Sequence, residues 1–173
     1  MLEYLRKILE HPQTSALSIE DRNLLSVAYK NSVGTKRTSW RILETLERKE
    51  ETKKQSPESE NHLKIIRKFK KQVEGELNQL CEEIIKMLDD KLIPTSDDNS
   101  SKVFYLKMKG DYYRYVAEYV TPEKREEVAK KAFEAYSKAE EIAQKQMLPT
   151  DPIRLGLALN YSVFYYEIKN DPK

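Results

Sequence analysis

Val103-Phe104-Tyr105-Leu106-Lys107-Met108-Lys109-Gly110-Asp111-Tyr112-Tyr113-Arg114-Tyr115 is the stretch whose reading decides the rest. It contains no proline, mixes apolar and cationic positions at short intervals, and reads as a helix from Val103 to about Tyr119. On that helix Lys107, Gly110 and Arg114 fall three and four residues apart and share a face, with Asp111 four residues from Lys107. The same layout occurs upstream, where Lys30, Gly34 and Arg37 are spaced by four and three and Arg41 follows four residues on. Two helices thus carry cations seven apart with a glycine between them.

Such a pair of faces suits an anion. A phosphate ester carries about −1.5 to −2 charges and three strong acceptor oxygens, which converging Lys and Arg side chains hold by charge-assisted, partly bidentate bonds. Tyr115, beside Arg114, would add a hydroxyl donor, and Asp111 could orient a cation by pairing with it. The plainer reading is a solvated face whose i,i+4 pairs contribute only about 0.2–0.5 kcal/mol each. A glycine inside a helix costs roughly 1 kcal/mol relative to alanine. Close helix packing or ligand approach would each justify it, and spacing alone leaves both open.

Working outward, apolar residues recur every three to four positions with only 4 glycines in the chain, so the whole sequence reads as helices joined by brief polar connections. Leu2, Leu5, Ile8 and Leu9 form a first stripe that ends before His11-Pro12. Ser18-Ile19-Glu20-Asp21 caps a second helix that continues to about residue 48. The polar run 50–61 reads as a loop, and Ile66, Phe69, Val73, Leu77, Leu80, Ile84 and Leu88 mark a long helix that Pro94 and residues 95–101 stop. Thr121-Pro122 and Asp151-Pro152 each open a further helix, the last running from Ile153 to about Ile168. The expected fold is all-α: about six helices in an antiparallel up-and-down array with a concave groove. No motif repeats at the ~34-residue period of a tetratricopeptide array.

The last helix is apolar nearly all round and is expected inside the array, with Asn160, Val163 and Glu167 on one face. Asn160 alone would be either a satisfied interior amide or a ligand group. Cys81 is read as a buried structural thiol, while His11 and His62 are isolated in loop-like, solvent-facing segments. The pairs Glu82-Glu83 and Glu126-Glu127 read as solvated faces. Nothing has the spacing of a metal site, a phosphate loop or a catalytic set, so the expectation is a non-enzyme without metal or cofactor.

Composition agrees with one domain over residues 1–173, in a chain with 35% charged and 39% hydrophobic residues. The 31 Lys+Arg against 29 Asp+Glu leave a net charge of +2, which gives no reason to expect nucleic acid as partner. A charged N-terminus and the absence of a long apolar run point to a cytoplasmic chain with no membrane partner.

Three stretches carry a resemblance: residues Arg22 to Asn31 (RNLLSVAYKN), Val103 to Tyr115, and Pro152 to Ile168. Together with Lys36-Arg37-Thr38-Ser39-Trp40-Arg41 they resemble the signature segments of the 14-3-3 family, in the family's order, from about Leu17 to Asn170. The resemblance implies a horseshoe-shaped, dimeric, non-enzymatic adaptor that binds phosphoserine and phosphothreonine segments of client proteins in an amphipathic groove. Carried over by position, it implies that Lys30, Arg37, Arg114 and Tyr115 hold the phosphate and that Asn160 bonds the peptide backbone. Leu159 and Val163 would form part of the apolar wall, and Lys107 and Glu167 would line the groove. Ser39 matches a serine whose phosphorylation is linked to dimer control in some members. The domain is expected to be incomplete at both ends, because the family has an earlier interface helix and two later helices. The pI of about 8.4 also departs from the family's acidic character. Homo- or heterodimers are therefore possible but weakened, and the alternative to a phosphopeptide adaptor is a structural or regulatory fragment that pairs with full-length relatives or has lost phosphopeptide binding.

Overall fold

Among the described residues from 17 onward, each α-helix opens on a polar or proline device legible in its own residues. A computed structural model describes Tyr4, Lys7, residues 17–53 and residues 56–170. The stripe Leu2 to Leu9, apart from the helical Tyr4 and Lys7 within its span, and His11 lie outside those residues. Helix α1 (Ile19–Glu51) starts at Ser18, whose side chain accepts from the Asp21 N–H at 3.1 Å. Helix α2 (Pro57–Met87) starts at Ser56, which accepts from Ser59 N–H at 3.1 Å with Pro57 behind it. Its last turn widens into a π-helical segment, Leu88–Leu92, before Pro94.

Helix α3 (Asn99–Ala117) is capped by Asp98, helix α4 (Pro122–Gln146) begins after Thr121, and helix α5 (Pro152–Phe164) is capped by Asp151 and continues as a π-helical segment, Tyr165–Lys169. The all-α expectation holds, with these five α-helices and no strand among the described residues from 17 onward. Three boundaries differ from the sequence reading: α1 runs on to Glu51, α2 starts at Pro57, and α3 starts at Asn99 rather than Val103. Pro57 to Asn61 are helical rather than loop, because Ser56-Pro57 is the same opening device as Thr121-Pro122; His62 therefore lies on α2. Thr121 occupies its cap position without a side-chain cap hydrogen bond.

Cross-helix contacts fix the directions. Arg67 reaches Glu51 at 2.7 Å, Lys70 reaches Glu47 at 2.8 Å, Trp40 Nε1 reaches Glu74 at 2.9 Å, and the Tyr29 hydroxyl reaches Glu83 at 2.5 Å, so α2 runs back along α1. Arg22 lies 4.4 Å from the Phe104 ring and Arg37 lies 3.8 Å from the Tyr115 ring, so α1 and α3 run parallel. Asn160 beside Asp111 and Glu167 beside Arg114 show that α5 runs parallel to α3. Helix α4 opposes both, with Arg154 donating to the Met147 carbonyl at 2.7 Å and Ser137 2.8 Å from the Tyr161 hydroxyl. The array is up-and-down, with α1, α3 and α5 pointing one way.

Two apolar clusters meet on α3. Tyr105, Met108, Tyr112 and Val116 pack with Leu25, Tyr29, Val33, Leu77, Cys81, Ile84 and Leu88. Val103, Leu106 and Ala117 pack with the alanine stripe of α4 (Ala129, Ala132, Ala139, Ala143) and with Leu157, Tyr161, Phe164 and Ile168. The interior helix is thus α3, not α5. Helix α5 buries one side, while Leu155, Leu159 and Tyr166, aligned within about 40° of one another around the helix, are exposed. Cys81 is fully buried as expected, and burial pushes its thiol up to about 12. Of the carboxylate pairs, Glu82, Glu126 and Glu127 are exposed, but Glu83 is half-buried against Tyr29.

Candidate functional site

Because α1, α3 and α5 run parallel, residues at matching heights face one depression between them. On its α1 side Lys30, Gly34, Arg37 and Arg41 line a cavity of about 500 Å³ closed by Tyr115. The Arg37 guanidinium lies 3.8 Å from the centre of the Tyr115 ring, and that of Arg114 lies 4.8 Å from it. Tyr115 is a flat separator that holds two guanidinium groups, from two helices, near each other. Burial and the charge of Asp111 raise its phenol, against the pull of Arg114 and Arg37, so at neutral pH the hydroxyl keeps its proton and can donate.

Glu118 is a site residue the sequence reading missed. Arg37 donates to it through Nη2 at 2.5 Å and Nε at 3.2 Å, and Arg41 adds a bond at 3.2 Å. Glu118 stands four residues after Arg114 on the same helix face, which is the one signal that could have nominated it. Its effect is to brace Arg37 at the cavity wall. Lys30 is exposed and makes no ion pair among the described residues.

On the α3–α5 side a second cavity, of about 200 Å³, is lined by Lys30, Lys107, Asp111, Arg114, Tyr115 and Asn160 among others. Asp111 is its hub. Its carboxylate accepts from the Tyr136 hydroxyl at 2.5 Å, from Lys107 Nζ at 2.8 Å, and from Asn160 Nδ2 at 2.8 and 2.9 Å. Arg114 is buried, with Nε 3.4 Å from the Tyr136 oxygen and Nη1 3.3 Å from Glu167. Burial opposes its charge, but Tyr136, Tyr115 and Asp111 outweigh that and hold the guanidinium more firmly protonated than usual.

The structure therefore brings Lys30, Arg37, Arg114 and Tyr115 together, with Lys107, Asn160 and Glu167 along the same depression. Five cations (Lys30, Arg37, Arg41, Lys107, Arg114) face three carboxylates (Asp111, Glu118, Glu167), an excess of two positive charges. Val163 shares the side of α5 that carries Asn160 and Glu167 and is partly buried, whereas Leu159 is 64% exposed beside it. Ser39 stands apart: it lies about 200° around α1 from Arg37, and its hydroxyl donates to the Thr35 carbonyl at 3.1 Å.

The two glycines differ. A side chain at Gly34 would meet nothing within 4 Å, whereas a Cβ at Gly110 would fall 2.8 Å from the Tyr136 ring. Gly110 is a packing glycine, and only Gly34 opens toward the depression. Among the described residues no group of His, Cys, Asp and Glu is placed to hold a metal ion, and no helix is long and apolar enough to cross a membrane.

The sequence profile of the 14-3-3 protein family matches residues 1–173. The chain belongs to the 14-3-3 family. It is 50% identical over 172 residues to "14-3-3 protein 3" of Solanum lycopersicum, covering 99% of this chain and 65% of that protein. It is 52% identical over 173 residues to a "14-3-3-like protein" of Chlamydomonas reinhardtii, covering 100% of this chain and 65% of that one. With "14-3-3-like protein GF14 phi" of Arabidopsis thaliana it shares 49% identity over 172 residues, which are 63% of that protein. The chain thus spans about 65% of the length of these relatives.

Proposed function

We propose that this 14-3-3 chain acts as one helical domain that binds phosphoserine- and phosphothreonine-containing segments of client proteins in the depression between α1, α3 and α5, and regulates those clients by doing so. The observation that carries the reading is the convergence of Arg37 and Arg114 on opposite helices about the Tyr115 ring, beside Lys30, which has no ion-pair partner among the described residues. An excess of two positive charges matches a phosphate dianion and exceeds what a single carboxylate would neutralise. Asn160 lines the cavity and spends its amide N–H groups on Asp111, which leaves its carbonyl oxygen to accept from a backbone N–H. Fluorescence anisotropy with a phosphorylated peptide and its unphosphorylated twin tests the reading. Binding that prefers the phosphopeptide supports it, and equal binding of the twins overturns it. Arg114→Ala should lower phosphopeptide affinity by about 2–5 kcal/mol, because it removes a buried, hydrogen-bonded charge.

The exposed line Leu155, Leu159 and Tyr166 favours a second reading, in which the chain also pairs with another copy or a full-length relative. Light scattering of the wild type and of Leu159→Glu, alone and mixed with a complete family member, tests it. Pairing that Leu159→Glu abolishes supports this reading, and a monodisperse monomer in both samples removes it.

A further inference from the structure

We infer that Tyr136, on α4 and outside the depression, is a positioning residue for phosphate recognition: its hydroxyl locks Asp111 and Arg114 into the arrangement that presents Arg114 to a phosphate. The inference rests on the phosphopeptide reading and deepens it. Tyr136 is fully buried, and its ring lies flat on the backbone at Gly110, where a Cβ would approach three of its carbons to 2.8–2.9 Å. The ring also stacks on Tyr161, with centroids 5.2 Å apart and planes at 24°. Held by both contacts, the ring has one place for its oxygen. That oxygen donates its proton to Asp111 Oδ1 at 2.5 Å and turns a lone pair to Arg114 Nε at 3.4 Å.

The consequence reaches both halves of the candidate site. Fixing Nε sets the plane of the guanidinium, and a plane set in advance is what lets an arginine meet an anion with two parallel bonds. Through Asp111, the same hydroxyl also steadies Asn160, whose amide rests on both carboxylate oxygens at 2.8 and 2.9 Å, and Lys107 at 2.8 Å. Without the phenol, Asp111 lacks its hydroxyl donor, and the nearby Arg114 at 3.8 Å is its nearest replacement, which would draw the guanidinium down from the cavity. Burial, with the charge of Asp111, raises the phenol well above the usual range, so Tyr136 stays a donor throughout the physiological range.

Tyr136→Phe keeps the ring, its packing on Gly110 and its stacking on Tyr161, and removes only the oxygen. The experiment measures, for wild type and Tyr136→Phe, the affinity for a phosphoserine peptide and its unphosphorylated twin, together with the exchange rate of the Arg114 Nε–H by nitrogen-15 NMR. The expected result is about tenfold weaker phosphopeptide binding, no change for the twin, and faster Arg114 Nε–H exchange. A wild type that does not discriminate the twins would overturn the phosphopeptide reading itself. A discriminating wild type with an unchanged Tyr136→Phe affinity and unchanged Arg114 exchange would overturn the positioning role alone. If both peptides weaken equally while Arg114 exchange stays as in wild type, the role is structural and the inference is wrong. Asp111→Asn, which keeps an acceptor for the phenol but lowers its charge, should weaken phosphopeptide binding less than Asp111→Ala; the reverse order would also count against the inference.

Discussion

Replacing Gly110 with alanine should destabilise the protein, while the same change at Gly34 should stabilise it, although both sit within helices between two cations. An alanine Cβ at Gly110 would stand 2.8 Å from two ring carbons of Tyr136 and 2.9 Å from a third. Relaxed carbon contacts lie near 3.5 Å, so ring and helix must separate by about 0.7 Å. The ring cannot simply tilt away, because Tyr161 stacks on it at 5.2 Å and Asp111 holds its oxygen at 2.5 Å. Overpacking of this kind costs about 1–3 kcal/mol, and the better helix propensity of alanine returns roughly 0.8–1 kcal/mol. At Gly34 only the second effect operates, since nothing lies within 4 Å. The propensity gain is common to both variants, so their difference isolates the clash: Gly34→Ala should exceed Gly110→Ala by about 1–3 kcal/mol. Urea unfolding followed by far-ultraviolet circular dichroism, with a shared slope, measures it. Two variants of equal stability within about 0.5 kcal/mol would refute the packing argument.

Other outcomes follow from single contacts. Arg37 is largely covered and braced by Glu118, whereas Arg41 is 56% exposed, so Arg37→Ala should lower phosphopeptide affinity by about 2 kcal/mol or more and Arg41→Ala by less than about 1 kcal/mol in the same anisotropy assay. The hydrogen bonds from Lys70 hold the carboxyls of Glu44 and Glu47 below their ordinary 4.5, so their stabilising contribution is present above that pH and is lost as pH falls through the lowered folded values. Lys70→Met should therefore cost about 1 kcal/mol near neutrality and progressively less as the pH falls below 4.5; a loss independent of pH would count against the clamp. Cys81, fully buried with its thiol pushed up to about 12, should resist a thiol reagent until the chain unfolds, and rapid stoichiometric labelling of the native protein would contradict that.

Much of this was legible from spacing. The helix openings at Ser18, Thr121-Pro122 and Asp151-Pro152 were readable because capping is local, and the same device at Ser56-Pro57 was obscured only by its polar neighbours. Helical spacing put Lys30 with Arg37 and Lys107 with Arg114, but not the two pairs with each other; that depends on α1 and α3 running parallel. Tyr136 sits among the alanines of α4, and nothing local reveals that its hydroxyl reaches Asp111, 25 residues away in sequence. Glu118 was hidden likewise, since its partners lie 81 and 77 residues back. The apolar richness of α5 misled about its place, because hydropathy reports what a helix can bury and not whether a neighbour covers it.

Helix α3 contributes to both apolar clusters, and it also carries Lys107, Asp111, Arg114 and Tyr115. A wall shared by two rooms cannot shift for one without the other. The ligand-facing side chains are therefore mounted where fraying is least and where loosening in either half is felt. A change at Ile84 on α2 or at Ala139 on α4 would register in the grip on an anion without ever touching it.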